Sequence, residues 1–456
     1  MALTLDTPVA ERVQNPAGGL REVVTLALPV ILTSLSATLM MTVDAVMVGR
    51  LGATQLGAVG YGGIWFWTAL SLFAGAASGV QTFVAQAHGA GEPHSCGRWA
   101  WQGLYAVVPL AGIGMAAFAL AFSPLLSLLA PAAGLSSFAA SYVHARVFGV
   151  VAMIAANALS GFFRGVGNTR VPLYAMVIAN IVNLVLNYGL IFGHFGLPAW
   201  GVAGSGTATA VAEWVYAAVL FAVFQRRAFA VRFATAAVAP DLAAMHRYLR
   251  TSLPIGGQWM LDMLAFATFS TLVARMGTSE MAASQSLLSL MHLSFMQVVG
   301  ISIAVSTLVG RYIGAGDLEA ARRSHDTAVR LGLALSAGVG IVFLSAPETC
   351  LRLFTDDRAV LTLGGPLLAV GAAFQVCDAF GVLSGGALRG AGDTRWPFLV
   401  QTALAWGVFL PAAYLGGFVF DGGLTGAWLG GVVYVAVLGI ALHWRFRSGA
   451  WQRVRI

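Results

Sequence analysis

The stretch RGVGNTRVP, Arg164 to Pro172, returns as RGAGDTRWP, Arg389 to Pro397, 225 residues later in the chain. Three further pairs match at the same offset: ALPV (27–30) with SLPI (252–255), GRLGATQL (49–56) with ARMGTSEM (274–281), and VQTFVAQAHGAGE (80–92) with VSTLVGRYIGAGD (305–317). Four matches at one offset indicate an internal repeat. The sequence therefore predicts two halves of similar structure.

The composition is that of an integral membrane protein. Of the 456 residues, 58% are hydrophobic and 9% are charged, whereas about 25% of a soluble protein is charged. The net charge of +7 is explained by orientation in a bilayer rather than by nucleic acid. The three cysteines, Cys96, Cys350 and Cys377, are too far apart in sequence to suggest a zinc site or a disulfide framework.

Apolar runs divide the chain into membrane spans. A bilayer core of about 30 Å requires about 20 mostly apolar residues per helix. Twelve such runs lie at 23–48, 56–87, 99–123, 138–163, 171–193, 201–225, 251–274, 282–311, 327–346, 360–387, 396–419 and 424–445. We predict an all-α polytopic membrane protein with 12 transmembrane helices in two pseudo-symmetric six-helix lobes. The predicted domains are an N-lobe (1–225), a cytoplasmic linker (226–250) and a C-lobe (251–456).

The arginines orient these spans. All 25 basic residues are arginine, and most lie at the chain ends and in the even-numbered loops. The opposite side is assigned only Arg50, Arg146, Arg275, Arg352 and Arg358. By the positive-inside rule, both termini are predicted to be cytoplasmic. The first 20 residues lack the pattern of a cleavable signal peptide.

The repeated nonapeptide has the composition of a tight turn between two helices. Gly165 and Gly167 let the chain turn, and Asn168 or Thr169 is expected to cap the next helix. Pro172 suits the first turn of that helix, where an N–H has no partner to lose. A phosphate-binding loop is a poor alternative, because the glycines join two membrane helices rather than a strand and a helix.

Three segments resemble the multidrug and toxic compound extrusion (MATE) family of transporters, and the likeness extends over essentially the whole chain. They are LSGFFRGVGNTRVPLYAMVIANIVNLVLNYGLIFG, MMTVDAVMVGRLGATQLGAVG and VCDAFGVLSGGALRGAGDTRWPF. The resemblance is strongest to the NorM-type branch. It implies twelve helices in two lobes and the export of lipophilic, often cationic compounds in exchange for Na+ or H+.

Two carboxylates in the second half are candidates for ion coupling, because an intramembrane charge is costly and therefore usually functional. Asp262 follows Pro254 by 8 residues and Asp378 precedes Arg389 by 11, so both are predicted near mid-membrane. Gln258, one turn before Asp262, adds an oxygen on the same face. The resemblance to the NorM-type branch implies a coupling-ion site at these two acids. The alternative is a buried pair that stays protonated or hydrogen-bonded.

The first half carries a second polar set. Asp44 follows Pro29 by 15 residues, and Asn187 follows Pro172 by the same number, which predicts that they share one layer of the membrane. Asn183 lies one turn from Asn187 on the same face. The resemblance implies proton or substrate handling at Asp44, although the proton-coupled DinF-type branch often has a second acid where this chain has Asn187. That difference favours coupling at the acids of the second half. The alternative for Asp44 is an acid near the outer interface.

The remaining candidates are less specific. Glu213, in the sixth span, belongs either to a polar network inside the lobe or to an accessory proton site. His292 is expected to be a core histidine rather than a switch. Aromatic and methionine side chains could line a cavity for flat cations by cation–π attraction and adaptable packing, although lobe packing or lipid contact is the alternative for each. The cavity candidates are Met40, Trp65, Trp259, Met263 and Phe295.

These observations predict a cation-coupled antiporter that uses alternating access between two lobes. A flippase for a lipid-linked substrate of the same superfamily is the alternative, although more arginines would then be expected in the cavity. An enzyme is not expected, because the sequence lacks HExxH and GxSxG motifs. No cofactor is expected besides Na+ or H+ as the coupling ion. The expected partners are small organic cations and membrane lipids, for a monomer in the bacterial inner membrane.

Overall fold

The chain is helical almost throughout in the computed structural model, which describes residues 17–129, 134–353 and 357–454. No β-strand occurs within those ranges. The α-helices are α1 (Leu20–Gly49), α2 (Ala53–Ser78), α3 (Val80–Gly89), α4 (Pro93–Leu129), α5 (Leu135–Gly165), α6 (Arg170–Phe192), α7 (Val202–Phe224), α8 (Arg227–Phe233), α9 (Leu242–Ala274), α10 (Thr278–Gly314), α11 (Leu318–Ser345), α12 (Pro347–Arg352), α13 (Arg358–Gly390), α14 (Arg395–Leu404), α15 (Leu410–Tyr414) and α16 (Gly423–Arg447). π-Helical segments at Ala405–Phe409 and Leu415–Val419 flank α15.

Eleven helical segments of the described chain are long and apolar enough to cross a membrane, and they correspond to eleven of the twelve predicted spans. The remaining predicted span, 251–274, is part of α9, which starts earlier, at Leu242. Gln258 and Asp262 interrupt the apolar sequence of α9.

The repeated nonapeptide forms a helix-to-helix turn in both copies, as predicted. Gly167 and Gly392 have φ values of +85° and +82°, a left-handed conformation that glycine adopts without strain. The predicted cap at Thr169 is wrong, because Thr169 occupies the N-cap position without a side-chain capping bond, as does its counterpart Thr394 in the second copy. Their backbones are already helical, whereas a capping residue usually has an extended conformation.

The acid of the second nonapeptide has another partner. Asp393 is buried and accepts a hydrogen bond from the Arg445 side chain of α16 at 2.8 Å. Arg445 also lies over the ring of Trp396. The turn between α13 and α14 is thus held by an ion pair to the last long helix rather than by a cap.

The described residues form two compact units. The amino-terminal unit consists of Leu32–His88 and Glu92–Leu264, and the carboxy-terminal unit consists of the chain up to Ile31, Gly89–Gly91 and the chain from Ala265 onwards. Each unit has its own buried apolar clusters, which include Phe162 and Phe224 in the first and Phe269 and Trp428 in the second. Helices α1 and α9 contribute residues to both units. The lobe boundaries at 225 and 251 stay a prediction.

Candidate functional site

A buried polar cluster lies in the amino-terminal unit between α1, α6 and α7. Asp44 comes from α1, Asn183 and Asn187 from one face of α6, and Thr209 from α7. Asp44 is 9% exposed and Asn187 is fully buried. Burying a carboxylate is costly unless hydrogen bonds compensate for its lost hydration. The neighbours of Asp44 must therefore supply those bonds.

Each oxygen of Asp44 accepts a hydrogen bond from a different helix. Asn187 donates from Nδ2 to Oδ1, and the Thr209 hydroxyl donates to Oδ2 at 2.9 Å. Asn187 Nδ2 also lies 2.9 Å from Asn183 Oδ1, and Asn183 donates to the Thr209 hydroxyl at 3.4 Å. The four side chains form one connected network that holds the carboxylate in place.

The network brings together Asp44 and Asn187, the two residues that the sequence placed in one layer. Equal distances from Pro29 and Pro172 were the basis of that expectation. The Thr209 hydroxyl completes the set. No motif identified Thr209, although it lies four residues before Glu213 and therefore on the same face of α7.

Several buried oxygens in and near this network, including Glu213 Oε2, have no hydrogen-bond partner among the described residues. Asn187 Oδ1 and the Ser205 hydroxyl are buried and unpaired, whereas buried polar atoms are normally satisfied. Ser205 lies one turn before Thr209 on α7, and its carbonyl is 2.9 Å from the Thr209 hydroxyl. Carboxylate, amide and hydroxyl oxygens suit a hard cation. The network therefore contains a carboxylate and unsatisfied oxygens that are chemically suited to a proton or Na+.

An ion pair lies next to the network. Arg146 of α5 donates from Nη1 to Glu213 Oε1 of α7 at 2.8 Å, and the two side chains are 4% and 10% exposed. The guanidinium lies over the ring of Phe66, 4.9 Å from its centroid. A Cβ atom on Gly149 would lie 2.1 Å from Glu213 Oε2 and 2.8 Å from Ala210 Cα. Only glycine at position 149 leaves room for this arrangement.

The assignment of Arg146 to the outer face is therefore wrong. Arg146 lies within α5 rather than in a loop, and its side chain is 4% exposed. It supplies the counter-charge that a buried Glu213 requires. The sequence contained a signal for this pair. Arg146 falls inside the predicted span 138–163. An unpaired arginine inside the membrane is as costly as an unpaired acid such as Glu213, so the two side chains could be expected to pair.

The predicted pair of acids, Asp262 and Asp378, is distributed over both units. Asp262 lies on α9 in the amino-terminal unit, one turn after the buried Gln258, and both side chains have interaction partners. Asp378 is half-buried on α13 in the carboxy-terminal unit. Their joint coordination of one ion stays a prediction.

The predicted cavity residues have different surroundings. Trp65 is half-buried and packs against the core of the amino-terminal unit. Met40 is half-buried, whereas Trp259, Met263 and Phe295 are partly exposed. The expectation of a core histidine at position 292 is wrong, because the His292 side chain is exposed. Their exposed surfaces fit contact with either lipid or substrate. A substrate cavity lined by these residues stays a prediction. Over the described ranges, no group of three His, Cys, Asp or Glu side chains could hold a metal ion.

Most of the chain is similar to known proteins. The model of one family, MatE, matches residues 29–189 and again residues 254–415. The two matches start 225 residues apart, the same offset as the sequence repeat. The chain belongs to the MatE family. The repeat is therefore the duplicated unit of this family, and the 12-helix, two-lobed MATE fold is the fold of this chain.

Relatives over the full length agree with the family. The multidrug resistance protein NorM of Burkholderia vietnamiensis is 32% identical over 92% of each chain. An outward-facing multidrug resistance MATE family transporter superposes with a TM-score of 0.85, at 21% identity over 98% of this chain and 100% of that one. A eukaryotic MATE transporter superposes with a TM-score of 0.84, at 22% identity over 95% and 96% of the two chains.

Membership in MatE determines the class of the protein. MatE proteins of this kind are membrane transporters and not enzymes. The helices of suitable length and hydropathy agree with a multi-pass integral membrane protein. The buried groups at Asp44 and Arg146 are therefore parts of a transport protein.

Proposed function

We propose that this MatE protein is a cation-coupled antiporter, which exports lipophilic, cationic drugs or toxic compounds in exchange for Na+ or H+. The observation that carries the proposal is the buried Asp44 carboxylate, held by Asn187 and Thr209 beside the unpaired Asn187 Oδ1. A membrane protein gains nothing in stability from a buried acid that must be kept charged. Such an acid is expected where a cation binds and leaves during each cycle.

Binding of the cation changes the hydrogen bonds of the network. With Asp44 ionised, the Thr209 hydroxyl donates to the carboxylate. Once a proton or Na+ neutralises Asp44, the same hydroxyl can donate instead to the Ser205 carbonyl, also 2.9 Å away. Thr209 thus has two alternative acceptors on two helices. We infer that this exchange links occupancy of the site to the contact between α1 and α7.

Coupling to drug export follows from two states that both ligands influence. The cation favours the inward-facing state, and the drug favours the outward-facing state. Because the two ligands favour opposite states, each lowers the protein's affinity for the other by the same factor. Alternating access between the two lobes provides those states. Asp262, Asp378 and Gln258 are proposed as a second cation site, and Met40, Trp65, Trp259, Met263 and Phe295 as the surface that contacts the drug.

We further propose that the protein acts as a monomer in a bacterial inner membrane, with both termini in the cytoplasm and lipid around its spans. The distribution of arginine supports this orientation. The flippase alternative is not favoured, because the full-length relative with 32% identity carries the name of a multidrug resistance protein.

The test is efflux of ethidium from proteoliposomes. An inward Na+ gradient at equal pH and an inward H+ gradient at equal Na+ are imposed separately, and loss of dye is followed by fluorescence. We expect one of the gradients to drive efflux in wild type, and Asp44→Asn to abolish that effect. Glu319→Gln is the matched control, because Glu319 is 83% exposed on α11. Equal efflux with and without both gradients would refute antiport.

A further inference from the structure

The Arg146–Glu213 ion pair lies one helical turn from the proposed cation site. Thr209, which binds Asp44, and Glu213, which binds Arg146, are four residues apart on α7, a separation of about 6 Å along the axis. They share one face of the helix. Helix α7 therefore contacts both carboxylates of the group. Its Thr209 donates a hydrogen bond to Asp44 of α1, and its own Glu213 binds Arg146.

The ionisable groups around Asp44 come from two helices. Arg146 and Tyr142 of α5 and Glu213 of α7 interact with it electrostatically. Helix α6 contributes only the amides of Asn183 and Asn187 to the network. Arginine stays protonated in proteins. With both acids ionised and Tyr142 neutral, the group carries a net charge of minus one.

We propose that Arg146 and Glu213 form a positioning pair that holds the net charge of this buried group at minus one, so that one monovalent cation neutralises it. The proposal rests on the function proposed above. Neither residue carries the cation. Arg146 determines the charge that surrounds Asp44, and Glu213 fixes Arg146 in position.

Geometry argues against Glu213 as a second carrier. One of its oxygens is bonded to Arg146 at 2.8 Å, and the other, which has no hydrogen-bond partner among the described residues, faces Gly149 so closely that a Cβ atom there would lie 2.1 Å away. The Arg146 guanidinium already neutralises Glu213, so a second cation at this carboxylate would be repelled. The group also needs Arg146, because two buried carboxylates without a cation would repel each other strongly.

Three variants change the charge in a defined way. Glu213→Gln leaves a net charge of zero before the cation binds, Arg146→Gln leaves minus two, and the double variant restores minus one. The measurement is the pH dependence of ethidium efflux from proteoliposomes at fixed Na+, together with its Na+ dependence at fixed pH. Size-exclusion profiles and thermal midpoints in detergent establish that each variant is folded.

We expect the two single variants to shift in opposite directions. An uncompensated Arg146 favours ionised Asp44, so Glu213→Gln should lower the pH midpoint of efflux by about 1–3 units. Arg146→Gln should raise the midpoint by a similar amount, because Glu213 then repels ionised Asp44. The double variant should return to the wild-type midpoint. If the pair had only a structural role, the two single variants would not shift the pH midpoint in opposite directions. The double variant would not return the midpoint to the wild-type value.

The conservative variants keep the proposal testable if a single variant does not fold. Glu213→Asp and Arg146→Lys preserve both charges, so each should keep the wild-type pH midpoint. The double variant Glu213→Gln/Arg146→Gln should also keep it. A shifted midpoint in the double variant, or unshifted midpoints in folded single variants, would overturn the pair's role while gradient-driven efflux in wild type persists. Loss of gradient-driven efflux in wild type itself would instead refute the proposed antiport.

Discussion

The Thr209 hydroxyl of α7 donates a hydrogen bond to the Asp44 carboxylate of α1 at 2.9 Å. Asn183 donates to the same hydroxyl, and the Ser205 carbonyl lies within its reach. One hydroxyl proton cannot serve two acceptors at once. The state of Asp44 therefore decides where that proton points.

Thr209→Val removes the hydroxyl and keeps the shape of the side chain. A hydrogen bond to a charged group contributes about 1.5–3 kcal/mol, so ionised Asp44 is less stable in the variant. In a proton-coupled protein, the pH midpoint of ethidium efflux should rise by about 1–2 units, because one unit corresponds to about 1.4 kcal/mol.

The same variant distinguishes the two coupling ions. In a Na+-coupled protein, the loss of an oxygen ligand should raise the half-saturating Na+ concentration by about tenfold or more. Thr209→Ser keeps the hydroxyl and is the control, with wild-type behaviour expected. Unchanged pH and Na+ dependence in Thr209→Val would mean that the hydroxyl does not stabilise the carboxylate.

Asn187→Asp replaces the amide donor to Asp44 by a second carboxylate. Two adjacent carboxylates cannot both ionise in a buried site, so one proton should stay bound. We expect proton-driven efflux with a pH midpoint raised by about 1–3 units. The matched control is Asn180→Asp on the same helix, where the side chain contacts Ser36 instead. An equal shift in both variants would contradict a specific effect on Asp44.

Asp262→Asn and Asp378→Asn test the second proposed cation site. Each change removes a negative charge with little change in volume, so binding of a cation that bridges both acids should be lost. We expect gradient-driven ethidium efflux to fall to the level of liposomes without protein, while the yield of folded protein is retained. Wild-type coupling in both single variants would rule out this site and leave Asp44 as the coupling residue.

Residue counting along helices predicted part of the site. Asp44 and Asn187 each follow a proline by 15 residues, and the rise per residue in an α-helix is constant, so their equal depth was predictable. The contribution of α7, the third helix of the network, was not predictable. Thr209 lies at no such landmark, and which face of α7 meets α1 depends on packing that a single sequence does not encode locally.

The spans were predictable for a similar reason. Apolar runs predicted the eleven helical segments that are long and apolar enough to cross a membrane, because unpaired backbone groups are excluded from lipid. The bounds were less exact, since α11 starts at Leu318, nine residues before the predicted span. Arg146 was misplaced, because the orientation rule treats each arginine as a loop residue and does not consider a buried partner such as Glu213. The start of α9 at Leu242 was missed, because its first turns are polar and amphipathic rather than apolar.

The N-terminus of α9 provides a pH-dependent contact outside the spans. The backbone N–H of Ala244 and the Arg98 guanidinium hold the pKa of Asp241 below its ordinary value of 3.8. Asp241 therefore stabilises the fold above that pH, and the contribution is lost as the pH falls through its lower, folded-state pKa. Because the Asp241 side chain is 37% exposed, solvent screens its charge and we expect a small effect.

The measurement compares thermal midpoints of wild type and Asp241→Asn in detergent at pH 7 and at pH 3. The variant should be less stable at pH 7, and the difference should shrink at pH 3. Asp421→Asn, an exposed acid outside the helices, is the control. A difference that is independent of pH would show that the charge of Asp241 contributes nothing.

The segment between α7 and α9 tests the predicted topology. Arg226 and Arg227 are exposed, whereas the chain after α8 is attached to α4 by hydrogen bonds from Trp101 to Thr235 O and from Gln102 to Ala239 O. Trypsin added to the cytoplasmic face should therefore cut first after Arg226 or Arg227 and give two fragments of nearly equal length. Replacing both arginines by Gln should slow that cleavage, because the other arginines of the segment lie within helices, Arg232 in α8 and Arg247 and Arg250 in α9. If trypsin cut this segment only from the external face, the proposed orientation would be wrong. The arginine-rich loops would then lie outside the cell rather than in the cytoplasm.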